Sequence, residues 1–313
     1  MAHKERPLSP EGLRTYPLRS RASKVHLSDF ARVSGPDDSV ARFVQSLPRV
    51  LAGGEFRDLL AAMARARRAK KPIIWAMGAH VFKVGLNPVL IDLMANGWIS
   101  VLALNGAGIV HDFELAYAGA TSEDVEGQLK TGRFGMARET GERLNAAIGR
   151  AAEEGWGLGE AVGRMIAESS FPFKKWSLLG TAHRLGIPAT VHVAVGTDVI
   201  HMHPRASGEA IGAASLRDFY LLAALVAKLN RGGVFLNVGS AVILPEVFLK
   251  AVSLARNLGR PVEGFTTAVF DFHRHYRPSQ NVVLRPPGTK GKGYYFVGHH
   301  EIMIPLLAAA LGR

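Results

Sequence analysis

Glycine-rich segments that follow short apolar runs are the parts of this chain best suited to bind a phosphate. GAHVFKVG begins at Gly78, NGAG begins at Asn105 after the next apolar run, and NVGSA contains Gly239. Glycine lets backbone N–H groups approach a phosphate, and a helix that starts there adds positive potential. The pattern predicts a nucleotide site; tight turns are the alternative, because no segment has the spacing GxGxxG. The predicted contacts are Gly78, Ala79, His80, Asn105, Gly106, Ala107, Gly108 and Gly239.

Two adjacent titratable residues, His111 and Asp112, follow the second segment, and Asp271 ends a later apolar run. An imidazole or a carboxylate at such a position can transfer protons during catalysis or hold a cationic substrate. A helix cap or a structural hydrogen bond is the alternative. We treat His111 and Asp112 as candidate catalytic residues and Asp271 as a candidate substrate contact.

The segment PPGTKGKGYYF carries two lysines, Lys290 and Lys292. A lysine becomes a Schiff-base nucleophile when desolvation or neighbouring cations lower its pKa. Solvated loop charges are the alternative, and both interpretations stay open at this stage.

The sequence lacks the residues and motifs that several other kinds of catalytic or metal site require. The chain contains no Cys, which excludes thiol nucleophiles, zinc ribbons and iron–sulfur clusters. It contains no HExxH, GxSxG or GxxxxGK[ST] motif. Residues of metal-binding type do occur near one another: His192, Asp198, His201 and His203. We expect no metal site, because a pair of histidines is too few ligands and His192 falls within a predicted strand.

Short apolar runs alternate with helical segments from about residue 39 onward. The predicted strands are Ile73–Met77, Ile99–Leu104, Thr190–Val195, Val234–Val238 and Val262–Phe270, with YYFV as a further apolar run. The predicted helices are Val40–Leu51, Glu55–Arg68, Pro88–Asn96, Trp176–Leu185, Ser215–Asn230, Pro245–Asn257 and Glu301–Leu311, with more helix in 121–168. The alternation predicts an α/β fold with a doubly wound, mostly parallel sheet flanked by helices. Ligands of such sheets bind beyond the carboxyl ends of the strands, where we also expect the loop 285–293.

The length of 313 residues suits one large α/β domain or two small ones. We interpret the polar, basic residues 1–35 as an N-terminal arm and residues 36–313 as a single domain. The uninterrupted apolar runs are shorter than the about 20 residues of a membrane span. We therefore expect no membrane segment, no signal peptide and a cytoplasmic location, which the absence of Cys also fits.

The formal net charge of +12 would suit a nucleic acid, a membrane surface or an acidic partner. The excess is spread along the chain, apart from the cluster RARRAKK at residues 65–71. This cluster ends a predicted helix, where basic residues complement the helix dipole. No aromatic residue interleaves with it as a base-stacking platform would require, so nucleic acid is not favoured as the main partner.

Five segments, in order along the chain, resemble one enzyme family. GAHVFKVGLNPVLIDLMANGWISVLALNGAGIVHDFE is similar to the first nucleotide-binding segment of deoxyhypusine synthase. LGIPATVHVAVGTD, GGVFLNVGS, FTTAVFDF and KGKGYYFVGHHEIMIPLL resemble its later strands and loops and its closing helix. The resemblance covers about residues 40–310 and points to the divergent bacterial branch. It implies a Rossmann-like sheet with NAD at the carboxyl ends of the strands.

The resemblance also implies an NAD-dependent transferase. Members of the family oxidise spermidine by hydride transfer and move the aminobutyl group to an enzyme lysine as an imine. The group then passes to an amine acceptor, which is a protein lysine or, in homospermidine synthases, a polyamine. The family further implies a homotetramer with sites at its dimer interfaces.

Individual roles follow from the same resemblance. Lys292 matches the catalytic lysine of the family, and Lys290, a candidate substrate contact, takes the position of its tryptophan. Asp112 matches the last residue of an acidic triplet, in which His111 replaces the second acid. The further implied NAD contacts are Asp198, Thr266, Thr267 and Ala268.

The sequence departs from the family at the polyamine site. Val242, Ile243 and Leu244 stand where the family has Lys-His-His, and several acidic residues are absent. Each lost carboxylate removes a contact to an ammonium group of about 1.5–3 kcal/mol. Two alternatives therefore stand beside aminobutyl transfer. The same pocket could take a non-polyamine substrate through the basic residues of 274–292, or the chain could be a non-catalytic protein that docks on RNA through RARRAKK.

Overall fold

Six strands form one parallel sheet in the computed structural model, which describes residues 5–312. The strands are β1 (Ile73–Met77), β2 (Val101–Asn105), β3 (Ala189–His192), β4 (Val234–Val238), β5 (Thr266–Asp271) and β6 (Lys292–Val297). Strands β1 to β4 are buried almost throughout, which explains why they read as continuous apolar runs. The order β3-β2-β1-β4-β5-β6 is that of the Rossmann-like doubly wound fold, so the predicted fold class is confirmed.

Helices of varied length connect the strands. They are α1 (Val40–Ser46), α2 (Leu51–Arg68), α3 (His80–Lys83), α4 (Asn87–Ala95), α5 (Gly106–Ala118), α6 (Val125–Leu129), α7 (Arg138–Glu154), α8 (Leu158–Glu168), α9 (Leu178–Arg184), α10 (Gly208–Ala227), α11 (Ile243–Asn257), α12 (Tyr276–Pro278) and α13 (His300–Leu311). A π-helical turn, Ser279–Leu284, follows α12 and precedes the predicted loop 285–293. Helix α10 begins earlier than the predicted Ser215 because the Ser207 side chain caps it by accepting from the Ala210 N–H.

The parallel direction of the strands gives the sheet two distinct edges. The strands all end at one of them, which we call the carboxyl edge; their last residues are Met77, Asn105, His192, Val238, Asp271 and Val297. At the opposite amino edge, Val234 pairs with Thr266 and Thr266 pairs with Lys292. Segments that precede a strand therefore lie at the amino edge, and segments that follow a strand lie at the carboxyl edge.

Alternating side chains of the strands fill two cores, one on each face of the sheet. Trp75 and Leu236 point to the face covered by α2, α4, α5 and α7 to α9. Ile74 and Phe235 point to the face covered by α10 and α11, where the Phe235 ring stacks on Phe248 with centroids 3.6 Å apart. Full burial of one such side chain contributes about 1.5–3 kcal/mol.

Helix α10 is long and apolar enough, by length and composition, to cross a membrane. In this fold it lies against the sheet, where Leu222 and Val226 belong to the core that also contains Phe235. A core helix of an α/β domain satisfies the same test as a membrane span. The expected cytoplasmic location stays a prediction.

The predicted N-terminal arm has little regular structure. Residues 5–39 contain two single 3-10 turns, Leu18–Ser20 and Leu27–Asp29, and most of their side chains are exposed. Residues 1–4 of the predicted arm lie outside the described residues. The division into an arm and one domain stays a prediction.

A buried carboxylate, Asp218 on α10, connects the start of α8 to strand β3. Its Oδ2 accepts the N–H groups of Gly159 at 3.0 Å and Val191 at 2.7 Å. Gly157 leaves room for this contact, since a Cβ there would lie 1.7 Å from Asp218 Oδ1. Gly159 lets α8 approach β3, since a Cβ there would lie 2.1 Å from the Ala189 carbonyl oxygen. Burial raises the pKa of Asp218 to about 7, against the opposing effect of the two N–H donors.

The substitution Asp218→Ala leaves two buried N–H groups without an acceptor. We expect it to lower the free energy of unfolding by about 2–4 kcal/mol, measured by urea denaturation. Glu153→Ala removes an exposed carboxylate from α7 and serves as the control, with an expected change within about 0.5 kcal/mol. Equal effects of the two substitutions would contradict the anchoring role.

The loss of unfolding free energy caused by Asp218→Ala should depend on pH. Between the ordinary pKa of 3.8 and the folded value of about 7, the folded state keeps a proton on Asp218 that the unfolded state releases. The contribution of Asp218 to stability therefore falls as the pH rises through this window. We expect the loss caused by Asp218→Ala to be larger at about pH 5.5 than at about pH 8. A loss that grows toward alkaline pH would rule out the raised pKa.

Candidate active site at the carboxyl edge

The strand order reverses between β1 and β4, and we call the place where these two strands end at the carboxyl edge the crevice. The segment after β1 leads to α3 and α4 on one face of the sheet, whereas the segment after β4 leads to α11 on the other. The two connections therefore diverge. In open α/β sheets this divergence is where ligands bind.

Two glycines, one after each of these strands, lie in close contact at the crevice. A Cβ on Gly78 would lie 2.2 Å from the carbonyl oxygen of Gly239, so a side chain does not fit at Gly78. Gly239 itself has φ +66, a backbone conformation that favours glycine. These two glycines are brought together as the sequence predicts.

Two histidines form one wall of the crevice. The His300 Nε2–H donates to the Phe270 carbonyl at 3.0 Å, and His300 Nδ1 lies 2.9 Å from His80 Nδ1. With Nε2 of His300 protonated, its Nδ1 accepts and His80 Nδ1–H donates. Burial lowers the pKa of His300, which favours this neutral form. Phe272, 39% exposed, lies against the ring of His80.

The second glycine corner, Asn105 to Gly108, starts helix α5 beside Asp198. Asn105 Oδ1 accepts the N–H of Gly108 at 3.2 Å, while a Cβ on Gly106 would lie 1.8 Å from Asp198 Oδ2. Asp198 follows β3 and is 8% exposed, and its Oδ2 has no hydrogen-bond partner among residues 5–312. Burial raises its pKa to about 6. The structure thus places a carboxyl group with an unused oxygen against this corner.

A hydrogen-bonded chain links His111 to Glu114 one turn further along α5. His111 Nδ1 lies 2.6 Å from Thr121 Oγ1, and the Thr121 hydroxyl donates to Glu114 Oε2 at 2.5 Å. The Thr140 hydroxyl also donates to this carboxylate, at 3.2 Å. Because the hydrogen of Thr121 goes to Glu114, the Thr121 oxygen accepts from His111 Nδ1–H. This arrangement leaves the lone pair on His111 Nε2.

The imidazole of His111 is a neutral base under ordinary conditions. Burial, with a smaller effect from the charge of Lys83, lowers its pKa to about 4. Burial raises the pKa of Glu114, although its two hydroxyl donors oppose that change. A base that is oriented through a second polar group is the arrangement used in general base catalysis.

A cavity of about 200 Å³ lies beside this chain at the carboxyl edge. Its polar lining includes Lys83, His111, Glu114, Glu123 and Asp198, and its apolar lining includes Ala107, Val110, Val125, Phe134 and Val199. The lining therefore offers one base, carboxyl groups able to hold an ammonium group, and an apolar wall. Proton transfer to or from a small amine is the chemistry that this cavity supports.

Asp112, predicted to be catalytic, lies in the core instead of the cavity. Its carboxylate is fully buried and accepts from the Ser177 hydroxyl at 2.6 Å and from the N–H groups of Leu178 at 2.7 Å and Leu179 at 3.0 Å. It thus holds the start of α9. Burial raises its pKa to about 6 against these donors. The two neighbours differ because adjacent helical residues point in different directions.

The prediction that the loop 285–293 lies at the carboxyl edge is wrong. Strand β6 begins at Lys292, so this loop precedes its strand and lies at the amino edge. Lys292 is exposed and lies 3.5 Å from Asp58, and Lys290 pairs with Glu263 at 2.8 Å. The length of a six-residue strand, about 16 Å, separates both lysines from the carboxyl edge of the same chain.

Three predicted NAD contacts also lie away from the carboxyl edge. The predicted strand Val262–Phe270 in fact starts at Thr266, so Thr266, Thr267 and Ala268 form its amino-terminal half. Thr267 is fully buried and donates to the Val282 carbonyl at 2.8 Å. Asp271, the last residue of β5, does reach the carboxyl edge, where it is 2% exposed.

Sequence reasoning missed Glu114, Thr121 and Lys83. A signal for Glu114 was available, because His111 and Glu114 in the HDFE segment are three residues apart and so share one face of a helix. No comparable signal marks Thr121, which lies beyond the end of α5 at Ala118. Among residues 5–312, no three His, Asp or Glu side chains converge as ligands of one metal ion.

Solved structures share this fold at low sequence identity. No family model matches the chain, and no curated protein is significantly similar to it. Unliganded AgrE is 15% identical, with a TM-score of 0.54 over 90% of this chain and 34% of that one. The ternary complex of AgrE with ornithine and NAD+ is 14% identical, with a TM-score of 0.50 over 90% of this chain and 34% of that one. A predicted deoxyhypusine synthase from Entamoeba histolytica is 10% identical, with a TM-score of 0.51 over 88% and 93%.

These comparisons establish the Rossmann-like fold. The chain spans about a third of the length of AgrE. The match to a predicted deoxyhypusine synthase supports the resemblance seen in the sequence at the level of the fold. A specific family does not follow from it, because the sequence identity is 10%.

The hydrogen bonds that link His111 to Glu114 through Thr121 lead to a prediction for NMR. Near neutral pH, His111 should be neutral and protonated on Nδ1, and it should titrate near pH 4. Thr121→Val removes the oxygen that accepts Nδ1–H, so the Nε2–H tautomer should gain population. Histidine ¹⁵N shifts, assigned with His111→Gln, measure both effects. Thr131→Val, at an exposed threonine, should leave the shifts unchanged, and an ordinary titration of His111 would contradict the prediction.

Proposed function

We propose that the chain binds NAD across the carboxyl edge and oxidises an amino-bearing carbon of a small amine. The observation that carries this proposal is the oriented, neutral His111 in a cavity next to glycine corners that have no room for side chains. The likeness to AgrE, whose ternary complex contains ornithine and NAD+, supports it at the level of the fold. When bound, NAD supplies the acceptor for a hydride.

The crevice residues fit such a cofactor. Glycine at Gly78 and Gly239, the residues that follow β1 and β4, is the residue type that lets the backbone come close to a pyrophosphate. The aromatic ring of Phe272 and the carboxyl group of Asp271, beside β5, suit the adenosine half. The reacting half then belongs over β2 and β3, next to His111, because a general base must reach the reacting group.

The cavity residues have distinct roles toward an amine. The carboxyl groups of Glu123 and Asp198 hold an ammonium group, and each charge-assisted hydrogen bond contributes about 1.5–3 kcal/mol. Oxidation of an amine to an imine releases a proton from nitrogen. His111 Nε2 accepts this proton, and Thr121 and Glu114 stabilise the imidazolium that forms.

Aminobutyl transfer, implied by the resemblance, is the second candidate function. It needs a lysine beside the oxidised substrate to hold the fragment as an imine. Lys83 lines the cavity, whereas Lys292 of the same chain lies at the amino edge. We therefore propose Lys83 for this role. The homotetramer and a protein lysine as acceptor stay predictions.

The substitution His111→Gln tests the proposed base. We expect it to lower amine-dependent formation of NADH by about 10²–10⁴-fold, followed by absorbance, because proton transfer contributes about that much. The affinity for NAD, measured by calorimetry, should change by less than about threefold, because the proposed partner of His111 Nε2 is the amine and glutamine keeps a polar side chain beside the nucleotide. His183→Gln, at an exposed histidine on α9, is the control. No NAD binding by the wild-type chain would refute the proposal.

Borohydride trapping with NAD and spermidine tests the second candidate. A trapped adduct should appear on Lys83, disappear in Lys83→Arg and persist in Lys292→Arg. An adduct confined to Lys292 would contradict the role of Lys83. NADH formation without any adduct would limit the activity to oxidation and remove aminobutyl transfer.

A further inference from the structure

A cavity of about 540 Å³ opens between α7 and α8. None of the residues that line it lines the cavity beside His111. Its volume falls within the range of about 300–1,000 Å³ that small-molecule sites occupy. A second hollow continues from it and shares Arg143, Ser169 and Phe171 with it. The helices α7 and α8 therefore carry a groove large enough for a nucleotide.

Positive charge dominates the lining of this groove. Four arginines line it: Arg143, Arg150, Arg164 and Arg205. The carboxylates are Glu142 and Glu168, and Glu168 is occupied by Arg164 at 2.8 Å. The other three arginines form no ion pair with any residue in the described range 5–312.

Aromatic rings hold the guanidinium groups in place. The guanidinium carbons of Arg150 and Arg164 lie 5.3 Å and 4.7 Å from the ring centroid of Trp156, and that of Arg143 lies 5.9 Å from the ring of Phe171. Such contacts cover one face of a guanidinium group and leave its N–H edge free. Arg164 is already paired with Glu168, so Arg143 and Arg150 are the ring-packed arginines left for an added anion.

We propose that this groove binds a phosphorylated small molecule with at least two negative charges, of the size of a nucleoside diphosphate. The guanidinium fork matches two phosphate oxygens at once and keeps its charge at any physiological pH. Three such groups without partners need more than one anionic group to engage them. The indole and phenyl rings offer a surface for a base beside the phosphates.

Calorimetry with ADP and with inorganic pyrophosphate tests the proposal on the full chain. The variant Arg143→Gln/Arg150→Gln should bind ADP or pyrophosphate, whichever the wild-type chain binds, at least tenfold more weakly. Arg19→Gln/Arg260→Gln removes the same charge from exposed sites outside the groove and is the control, with an expected change below about twofold. Tighter binding of ADP than of pyrophosphate identifies a nucleotide site, and equal binding identifies a site for the diphosphate group alone.

Tryptophan fluorescence locates the bound probe. ADP or pyrophosphate should change the emission of the wild-type chain, and Trp156→Phe should remove most of that change while calorimetry still detects binding. Unchanged affinity in the arginine variant, with NAD-linked activity present, would place the probe at the carboxyl edge and overturn the proposal. Retention of RNA without binding of either small molecule would also overturn it, because the groove would then be a nucleic-acid surface.

Discussion

Close contact between two glycines, at the point where the sheet changes direction, governs the carboxyl edge. Gly78 and Gly239 approach so closely that neither segment can carry a side chain between them. The connections after β1 and β4 then diverge to opposite faces of the sheet, and the His300 ring lies against Gly239 where they part. The other candidate groups of this edge lie to either side of the glycine contact: the paired imidazoles on one side, and the base on α5 with its carboxyl neighbours on the other.

Three buried carboxyl groups, Asp112, Asp198 and Asp218, divide into two kinds. Asp112 and Asp218 have backbone or hydroxyl donors and fasten the first turns of α9 and α8. Asp198 is comparably buried, yet its Oδ2 has no donor among residues 5–312. Burial raises the pKa of all three. Asp218 Oδ1 also has no partner among residues 5–312, so location distinguishes the two kinds: Asp198 lines the cavity beside His111, whereas Asp218 holds the start of α8.

The sequence predicted the sheet and the glycine corners well, because buried parallel strands read as apolar runs and their turns require small residues. The sequence-based prediction was wrong about which end of β5 and β6 several residues occupy. In VEGFTTAVFDF the apolar pattern does not mark where the strand begins, so Thr266 was placed at the wrong edge. Lys292 was misplaced although its position was available: a residue that opens a parallel strand lies opposite the carboxyl edge. Thr121 could not be found, because its role depends on how the chain after α5 folds back.

The hydrogen bond between His80 and His300 joins the first βα segment to α13, more than two hundred residues later. A ribosome must therefore synthesise the chain through His300 before the histidine pair beside the crevice can form. All six strands and both glycine corners precede His300 in the sequence. Until His300 is added, the nascent chain can form them while this side of the crevice stays exposed to water. Completion of this part of the carboxyl edge is a late event in biosynthesis, set by the position of one imidazole in the chain.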